Sequence, residues 1–345
     1  MWTDVPVTVD RGDYPDAVTP WEDEDWRAAA LGWAERELAA LGLRVSGERA
    51  VRLRPWSVLV RLPVDGPVDG AVDGAGPVWF KANPPDSRFE ASLGEALAAW
   101  VPEHVQGPLA VRADRGWALL PDGGPLFREL LDRGAADARD WENMLRQYAA
   151  VQRMLVPHVD AIEALGVPSG RTADLPALFD RLLDGNGVLG ARGRAELRAL
   201  RPRLVDWCAE LAATGIPDSL DHSDLHDGQI FAREPLERFL FFDWGDASVA
   251  HPFTSLLVTS RIAARRFGAD VLPRLRDAYL EPWTDTGLSA AELRRAVVLA
   301  TRLGAVGRAA AWGRSFPGAG GGPDDSAEGA ARWLREVFTE EPIHT

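Results

Sequence analysis

The spacing of apolar residues changes near residue 125, and the two parts of the chain predict different structures. Before that point, short apolar runs are bounded by polar and turn residues, as in β-strands. They predict strands over residues 50–53, 57–62, 78–81, 109–111 and 117–120. Helices are predicted over 19–41, opening on a capping sequence at Thr19, and over 89–101. Residues 1–18 show no clear period and predict an irregular arm.

From residue 138 onward, apolar residues recur every three or four positions, as on the buried face of a helix. The pattern predicts helices over residues 138–155, 175–183, 194–213, 253–266, 270–280 and 290–303, and a last one with Trp333 and Phe338. Residues 165–176 predict a linker and 318–325 a glycine-rich loop. Because strands and helices are segregated, the predicted fold class is α+β, with a small mixed lobe over 1–122 and a larger, mainly helical lobe over 123–345.

One stretch in the second part concentrates ionisable side chains. In order they are Asp221, His222, Asp224, His226 and Asp227, followed by the amide Gln229. Two strand-like segments, 229–232 and 239–242, flank a charged hexapeptide and predict a hairpin. Such a hairpin would bring Asp243 back beside the loop that carries Asp224 and Gln229. Carboxylate and amide oxygens that meet at one point suit a hard cation such as Mg²⁺.

Composition narrows the function classes. The chain has 345 residues, 46% of them hydrophobic, which fits two lobes better than one core. Its net charge of −14 argues against a nucleic-acid partner and is compatible with a cationic small molecule. The single cysteine, Cys208, excludes an internal disulfide. No secretory signal and no membrane-spanning apolar run is visible, so we expect a cytoplasmic protein without a membrane partner.

Lysine use is more informative than total charge. Lys81 is the only lysine among 38 basic residues, and it ends the strand-like run 78–81. A chain that uses arginine everywhere else suggests that this position needs a compact ammonium group. The preceding turn, residues 54–57, contains no glycine, and the V-D-G repeat that follows predicts a flexible surface loop.

These motifs resemble the aminoglycoside phosphotransferase-like, or choline-kinase-like, branch of the protein-kinase fold. That branch carries a catalytic loop H-x-D-x-x-x-x-N and then D-W-x or D-x-E on a later strand. The matching residues are, in order, His222, Asp224, Asp243 and Trp244. The resemblance implies that Asp224 is the catalytic aspartate and that Gln229 and Asp243 hold the metal. Since Gln229 stands where the branch has asparagine, the second metal contact is left open.

The resemblance also implies a nucleotide site in the first lobe. Lys81 would contact the α- and β-phosphates, held there by a helix glutamate, for which Glu90 is preferred to Glu95. The other implied contacts are the Ser57 hydroxyl over the phosphates and backbone groups near Leu120 and Asp122 at the adenine edge. Outside these contacts, His222, His226 and Asp246 would be structural.

The implied function is a small-molecule kinase. It would transfer the γ-phosphate of ATP, or of another nucleoside triphosphate, with Mg²⁺ to a hydroxyl of an aminoglycoside, amino sugar or related amine. Two alternatives stay open. A degenerate kinase fold serving as a binding module would explain the glycine-free turn and Gln229. A metal-dependent hydrolase could use His222, Asp224 and His226, which alternate along an extended segment and could face one ion.

Overall fold

A computed structural model of the chain describes residues 7–71, 74, 76–317 and 323–339. The chain divides into two compact units, Met1–Gly124 with Arg314–Pro323, and Pro125–Gly313 with Asp324–Thr345. The sequence predicted a boundary after residue 122, but not the return of a late segment to the first unit. Of the predicted glycine-rich loop 318–325, residues 318–322 lie outside the described residues, and the rest belong to the last helix.

The first unit is built on a six-stranded sheet whose strand order is β1-β3-β4-β6-β8-β7. A two-residue pair, β2 with β5, lies outside it. The strands are β1 Val7–Asp10, β2 Arg44–Val45, β3 Arg49–Arg54, β4 Ser57–Leu62, β5 Val64–Asp65, β6 Val78–Ala82, β7 Ala110–Arg112 and β8 Trp117–Pro121. All pairings within the six-stranded sheet are antiparallel except that of β1 with β3.

Two helices complete the first unit, α1 Glu24–Ala40 and α2 Phe89–Trp100. The core of the unit contains an aromatic cluster of Trp33 from α1, Phe80 from β6 and Trp117 from β8, with ring centroids 5.9–6.1 Å apart. Lys81 follows Phe80 on β6, and because side chains alternate along a strand it lies on the opposite face of the sheet from that cluster.

The second unit is mainly helical. Its helices are α3 Phe127–Asp132, α4 Ala138–Leu155, α5 Val159–Ala164, α6 Leu175–Gly185, α7 Gly190–Ala199, α8 Arg201–Ala212, α9 Leu256–Phe267, α10 Leu272–Leu280, α11 Ala290–Ala311 and α12 Pro323–Thr339. Its short strands are β9 Ser169–Gly170, β10 Ser219–Asp221, β11 Ile230–Ala232, β12 Phe239–Phe241 and β13 Ser248–Ala250. They form a three-stranded sheet, β10-β13-β9, and the predicted hairpin, β11 with β12.

Several element predictions were wrong in detail. The arm 1–18 contains β1, whose four side chains are all exposed, so that no buried face marks it. The Thr19 capping box opens a 3₁₀ turn, and the side chain of Asp23 then caps α1. The predicted helix 194–213 is two helices, because Pro202 cannot continue the first and begins the second. The helix predicted to end at Leu303 continues to Ala311.

None of the helices in the described part of the chain combines the length and apolar character that a bilayer crossing needs.

Candidate active site

Lys81 and Glu90 form a buried ion pair in the first unit. The Lys81 Nζ atom donates to Glu90 Oε1 over 2.7 Å, and the two side chains are 10% and 11% exposed. Lys81 lies near the end of β6, and Glu90 lies in the first turn of α2. Of the two glutamates that the sequence offered, the structure therefore pairs Glu90 with the lysine.

Asn83 completes this pair, although the sequence analysis did not select it. Its side-chain amide donates to the second carboxylate oxygen of Glu90 and to the Ser87 carbonyl over 3.2 Å. A buried ion pair is stabilising only if its remaining oxygens and protons are also bonded, and Asn83 supplies that bond. The signal was the spacing, because residues 81 and 83 lie on the same side of an extended chain.

The glycine-free turn between β3 and β4 is held by three contacts. Arg54 is ion-paired with Asp10, the Pro55 carbonyl accepts from the Phe316 amide over 2.7 Å, and the Trp56 ring contacts Tyr14 edge-on. Ser57 is only 5% exposed, whereas Trp56 is 44% exposed. The role of the Ser57 hydroxyl over the phosphates stays a prediction.

Leu120 and Asp122, the predicted adenine contacts, lie at and just beyond the end of β8. The β7 pairing reaches Leu119, so Leu120 extends past it. The Asp122 carboxylate accepts from the Trp79 indole over 3.0 Å and from the Gly124 amide over 2.9 Å. The Asp122 side chain is therefore fixed, and the nucleotide role of its backbone stays a prediction.

In the second unit, the main chain of Phe242, the residue before Asp243, is hydrogen-bonded to the loop that carries His222 and Gln229. Its carbonyl accepts from His222 Nε2 over 2.8 Å, and its amide donates to the Gln229 carbonyl over 3.2 Å. Since β11 and β12 pair Ile230 with Phe241, Gln229 and Asp243 emerge at the same end of the hairpin. The hairpin thus returns Asp243 to the loop that carries Gln229.

Two loop residues take the left-handed backbone conformation that non-glycine residues rarely adopt, Ser223 with φ of 62° and Asp243 with φ of 65°. Ser223 immediately precedes Asp224, and Asp243 is the predicted metal residue. Such conformations cost free energy and persist where the surroundings fix them. His222 helps to fix the backbone on both sides of the site, because its ring packs against Trp244 at 4.7 Å between centroids. These contacts give His222 a bracing role.

The Asp224 carboxylate lies among charged groups and is 28% exposed. Burial raises its pKa, and Asp246 adds to that rise, whereas Arg308, His226 and His222 oppose it. Arg308 comes from α11, beyond the predicted end of that helix, and the sequence analysis did not select it. The three alanines at 309–311 were the signal for a longer helix.

A second cluster anchors the far end of the loop. Asp227 is almost fully buried and accepts from Arg128 and Arg266 over 2.8 and 2.9 Å. Burial raises the pKa of Asp227, but the contact with His226, the hydrogen bond from Arg128 and the charges of both arginines outweigh it and lower the pKa to about 2. His226 Nδ1 accepts from the Gly228 amide over 2.9 Å, and its structural role stays a prediction.

The donor set favours a hard cation over the hydrolase alternative. Gln229 and Asp243 offer the amide and carboxylate oxygens that Mg²⁺ prefers. His222 Nε2 is bonded to the Phe242 carbonyl and His226 Nδ1 to the Gly228 amide, so one nitrogen of each ring is occupied. No group of three histidine, cysteine, aspartate or glutamate side chains suited to a metal occurs among the described residues.

Solved structures match the chain over most of its length, although no protein-family model and no curated protein matches it. Plasmodium vivax ethanolamine kinase gives a TM-score of 0.59 at 12% identity, covering 94% of this chain and 90% of that one. A choline/ethanolamine kinase family protein from Mesorhizobium loti gives 0.54 at 17% identity, covering 91% and 96%. The GDP and kanamycin complex of APH(2")-IIia gives 0.54 at 16%, covering 89% and 98%.

The chain has the protein-kinase-like fold. The predicted fold class is thereby confirmed, and it is the variant of the fold found in small-molecule kinases such as these. At these identities the likeness shows the fold alone. Within the kinase-like fold, the Lys81–Glu90 pair belongs to the first unit, and the loop with Asp224, Gln229 and Asp243 belongs to the second.

Proposed function

We propose that the protein is a small-molecule kinase that transfers the γ-phosphoryl group of ATP or another nucleoside triphosphate to a hydroxyl group. The observation that carries the proposal is the ion pair between the sole lysine, Lys81, and Glu90 in a chain of kinase-like fold. A lysine held in this way by a glutamate is what phosphoryl transfer uses to neutralise phosphate charge.

Asp224 would orient the acceptor hydroxyl and take its proton as the new oxygen–phosphorus bond forms and the nucleoside diphosphate leaves. A partly exposed carboxylate can reach a substrate, and the bonds around Ser223 hold it in one orientation. Because phosphoryl transfer depends mainly on positioning and on neutralising charge, a fixed Asp224 and a fixed Lys81 are the groups that it requires.

Gln229 and Asp243 would hold Mg²⁺. Their shared attachment to Phe242 places both at one end of the hairpin, and their oxygens fit this cation. A bound magnesium ion would neutralise charge on the phosphates of the donor. The remaining work, orienting the hydroxyl and accepting its proton, belongs to the protein's own side chains.

The acceptor class that we favour is a hydroxylated amine, such as an aminoglycoside, an amino sugar or an amino alcohol. The net charge of −14 attracts cations. Two of the matching structures point the same way, since one is an ethanolamine kinase and another holds kanamycin with GDP. That GDP complex also makes GTP a donor to test beside ATP.

The proposal is tested by magnesium-dependent turnover of ATP and GTP against a panel of hydroxylated amines. Lys81→Ala should reduce turnover roughly tenfold or more, because it removes one donor that neutralises phosphate charge. Asp224→Asn should lose on the order of 10²-fold in turnover and keep its nucleotide affinity, because it removes a positioned base. Asp243→Ala should lose the magnesium dependence of nucleotide binding.

Glu90 and Glu95 supply a matched control, because both lie on α2. Glu90→Gln should weaken nucleotide binding by releasing Lys81, and Glu95→Gln should not. Equal activity of Lys81→Ala and the wild type would contradict the kinase proposal. Nucleotide binding without turnover on any acceptor would favour the binding-module alternative instead.

A further inference from the structure

Arg308 reaches the Asp224 loop from a distant part of the sequence. Its Nη1 atom donates to Asp246 Oδ2 over 2.9 Å and to the Ser223 carbonyl over 3.1 Å. Its Nη2 atom lies 3.3 Å from Asp224 Oδ1. The side chain is 11% exposed and lies 5.8 Å from the Trp333 ring, which belongs to α12. One guanidinium thus contacts two carboxylates and the main chain between β10 and Asp224.

The hydrogen bond from Arg308 to the Ser223 carbonyl fixes the backbone immediately before Asp224, and with it the direction of the Asp224 side chain. Ser223 is in the left-handed conformation, and its amide and hydroxyl both donate to the buried Asp221 carboxylate, over 3.0 and 2.8 Å. Arg308 bonds the remaining polar group of Ser223, its carbonyl. The residue that precedes Asp224 is therefore bonded at every polar atom that it has.

The charge of Arg308 also favours the ionised form of Asp224. The ionisable groups that face this carboxylate are Arg308, Asp246, His226 and His222. Burial and the Asp246 charge both favour the protonated acid, and Arg308 is the strongest opposing influence. A neutral Asp224 could not accept a proton, and this guanidinium favours the ionised form.

We propose that Arg308 is a positioning residue for phosphoryl transfer, which fixes the orientation of the Asp224 carboxylate and keeps it ionised. This inference rests on the proposed function for the role of Asp224, and on the contacts of Arg308 for the rest. The planar guanidinium suits the task because it serves three oxygens at once, which the ammonium of a lysine does less well.

The test compares Arg308→Gln and Arg308→Lys with Arg295→Gln, an arginine of the same helix that is paired with Glu210. Because small misplacements of a reacting group are costly, Arg308→Gln should lower kcat on the order of 10²-fold with little change in the KM for nucleotide. The acidic limb of its pH profile should move to higher pH, since loss of the cation raises the pKa of Asp224. Arg308→Lys should recover part of the rate, and Arg295→Gln should match the wild type.

A double-mutant comparison shows whether Arg308 acts through Asp224. In an Asp224→Asn background, Arg308→Gln should cause no further loss, because the group that it positions is already gone. Additive losses would overturn the inference, as would an unchanged kcat in Arg308→Gln. If Arg308→Gln fails to fold, Arg308→Gln with Asp246→Asn removes both charges of the pair and should show the same loss of kcat.

Hydrogen exchange separates this inference from the proposed function. Amides of the peptide over residues 222–225 should exchange faster in Arg308→Gln than in the wild type or in Arg295→Gln, without nucleotide or acceptor. Unchanged exchange would overturn the positioning role even in an active kinase. A wild-type protein that turns over no nucleoside triphosphate would instead overturn the proposed function, while the exchange result would still show whether Arg308 fixes the loop.

Discussion

The main chain of Phe242 is bonded at both of its polar atoms by the loop that precedes it. His222 donates to its carbonyl, and the carbonyl of Gln229 accepts from its amide. Because these bonds fix the backbone at 229 relative to 242, the reach of the side chain at 229 depends on its own length. If Gln229 holds the cation as proposed, we expect the shorter asparagine not to reach it from the same backbone position.

Gln229→Asn tests this expectation. The shorter side chain should leave the amide oxygen about one bond short of the cation, since Mg²⁺ tolerates little deviation from its ligand distances. We expect the magnesium concentration for half-maximal turnover to rise roughly tenfold. Magnesium titrations of wild type and variant provide the measurement. A lower magnesium requirement or a faster rate in the variant would show that glutamine is a defect, and would favour the binding-module alternative.

At the residue scale, the sequence marked the residues that we propose carry the chemistry but not those that hold them. Lys81 was marked by being the sole lysine, and His222, Asp224 and Asp243 by their spacing. Asn83 was marked only by its spacing from Lys81, and Arg308 looks ordinary as one arginine among 37. Their roles depend on tertiary contacts, which one sequence does not encode locally.

The β11–β12 hairpin is the element that orients Asp243, and an aromatic stack stiffens it. The Phe231 and Phe242 rings are stacked at 4.1 Å between centroids and 16° between planes. Phe231 lies on β11 opposite Leu240, and Phe242 is its diagonal neighbour across the hairpin. The stack thus ties the residue before Asp243 to the opposite strand.

Phe231→Ala should lower the free energy of unfolding by about 1 kcal/mol more than the loss of apolar area explains, since the ring pair contributes beyond its burial. It should also weaken magnesium-dependent nucleotide binding, which calorimetry at several magnesium concentrations would measure. Leu240→Ala is the control, because it shortens a half-buried side chain on the same face without breaking the stack. Equal effects of both variants on magnesium dependence would contradict a role for the stack.

Elements were predictable from the sequence where burial imposes a period. The strands 57–62 and 78–81 and the helix 138–155 have buried faces, and the structure confirms them within a residue. Elements that lack large buried side chains were missed. Strand β9 has two residues, β1 is wholly exposed, and the buried residues in the last turns of α11 are mainly alanine and glycine. In these elements the backbone pairing or the helical propensity decides the structure, and apolar spacing carries little information about either.

At the scale of the whole molecule, the path of the chain is interleaved. It leaves the first unit after Gly124, returns at Arg314, and leaves again after Pro323. During the return, Phe316 joins the core of the first unit with 5% exposure, and Arg314 lies 5.8 Å from the Phe89 ring. A boundary near residue 122 describes most of the first unit but omits the segment that fills part of its core.

Phe316→Ala should therefore destabilise the first unit, by about 3 kcal/mol if the site does not collapse. Hydrogen exchange resolved by peptide would show the faster exchange in strands β3, β4 and β6. Phe338→Ala is the matched control, because Phe338 contacts the Phe179 and Trp207 rings within the second unit. Its effect should appear in α6 and α8 and should spare the sheet of the first unit. Faster exchange confined to the second unit in Phe316→Ala would contradict this assignment.

The late position of Phe316 has a consequence for synthesis on the ribosome. Between Gly124 and Arg314 lie 189 residues, which take about 10–40 s to translate at ordinary rates. During that interval the sheet of the first unit has been made, but one buried aromatic side chain of its core has not. We therefore expect the first unit to complete its folding only after the segment with Phe316 has been made. Nascent chains that end near residue 124 should be protease-sensitive and should depend on chaperones until that segment emerges.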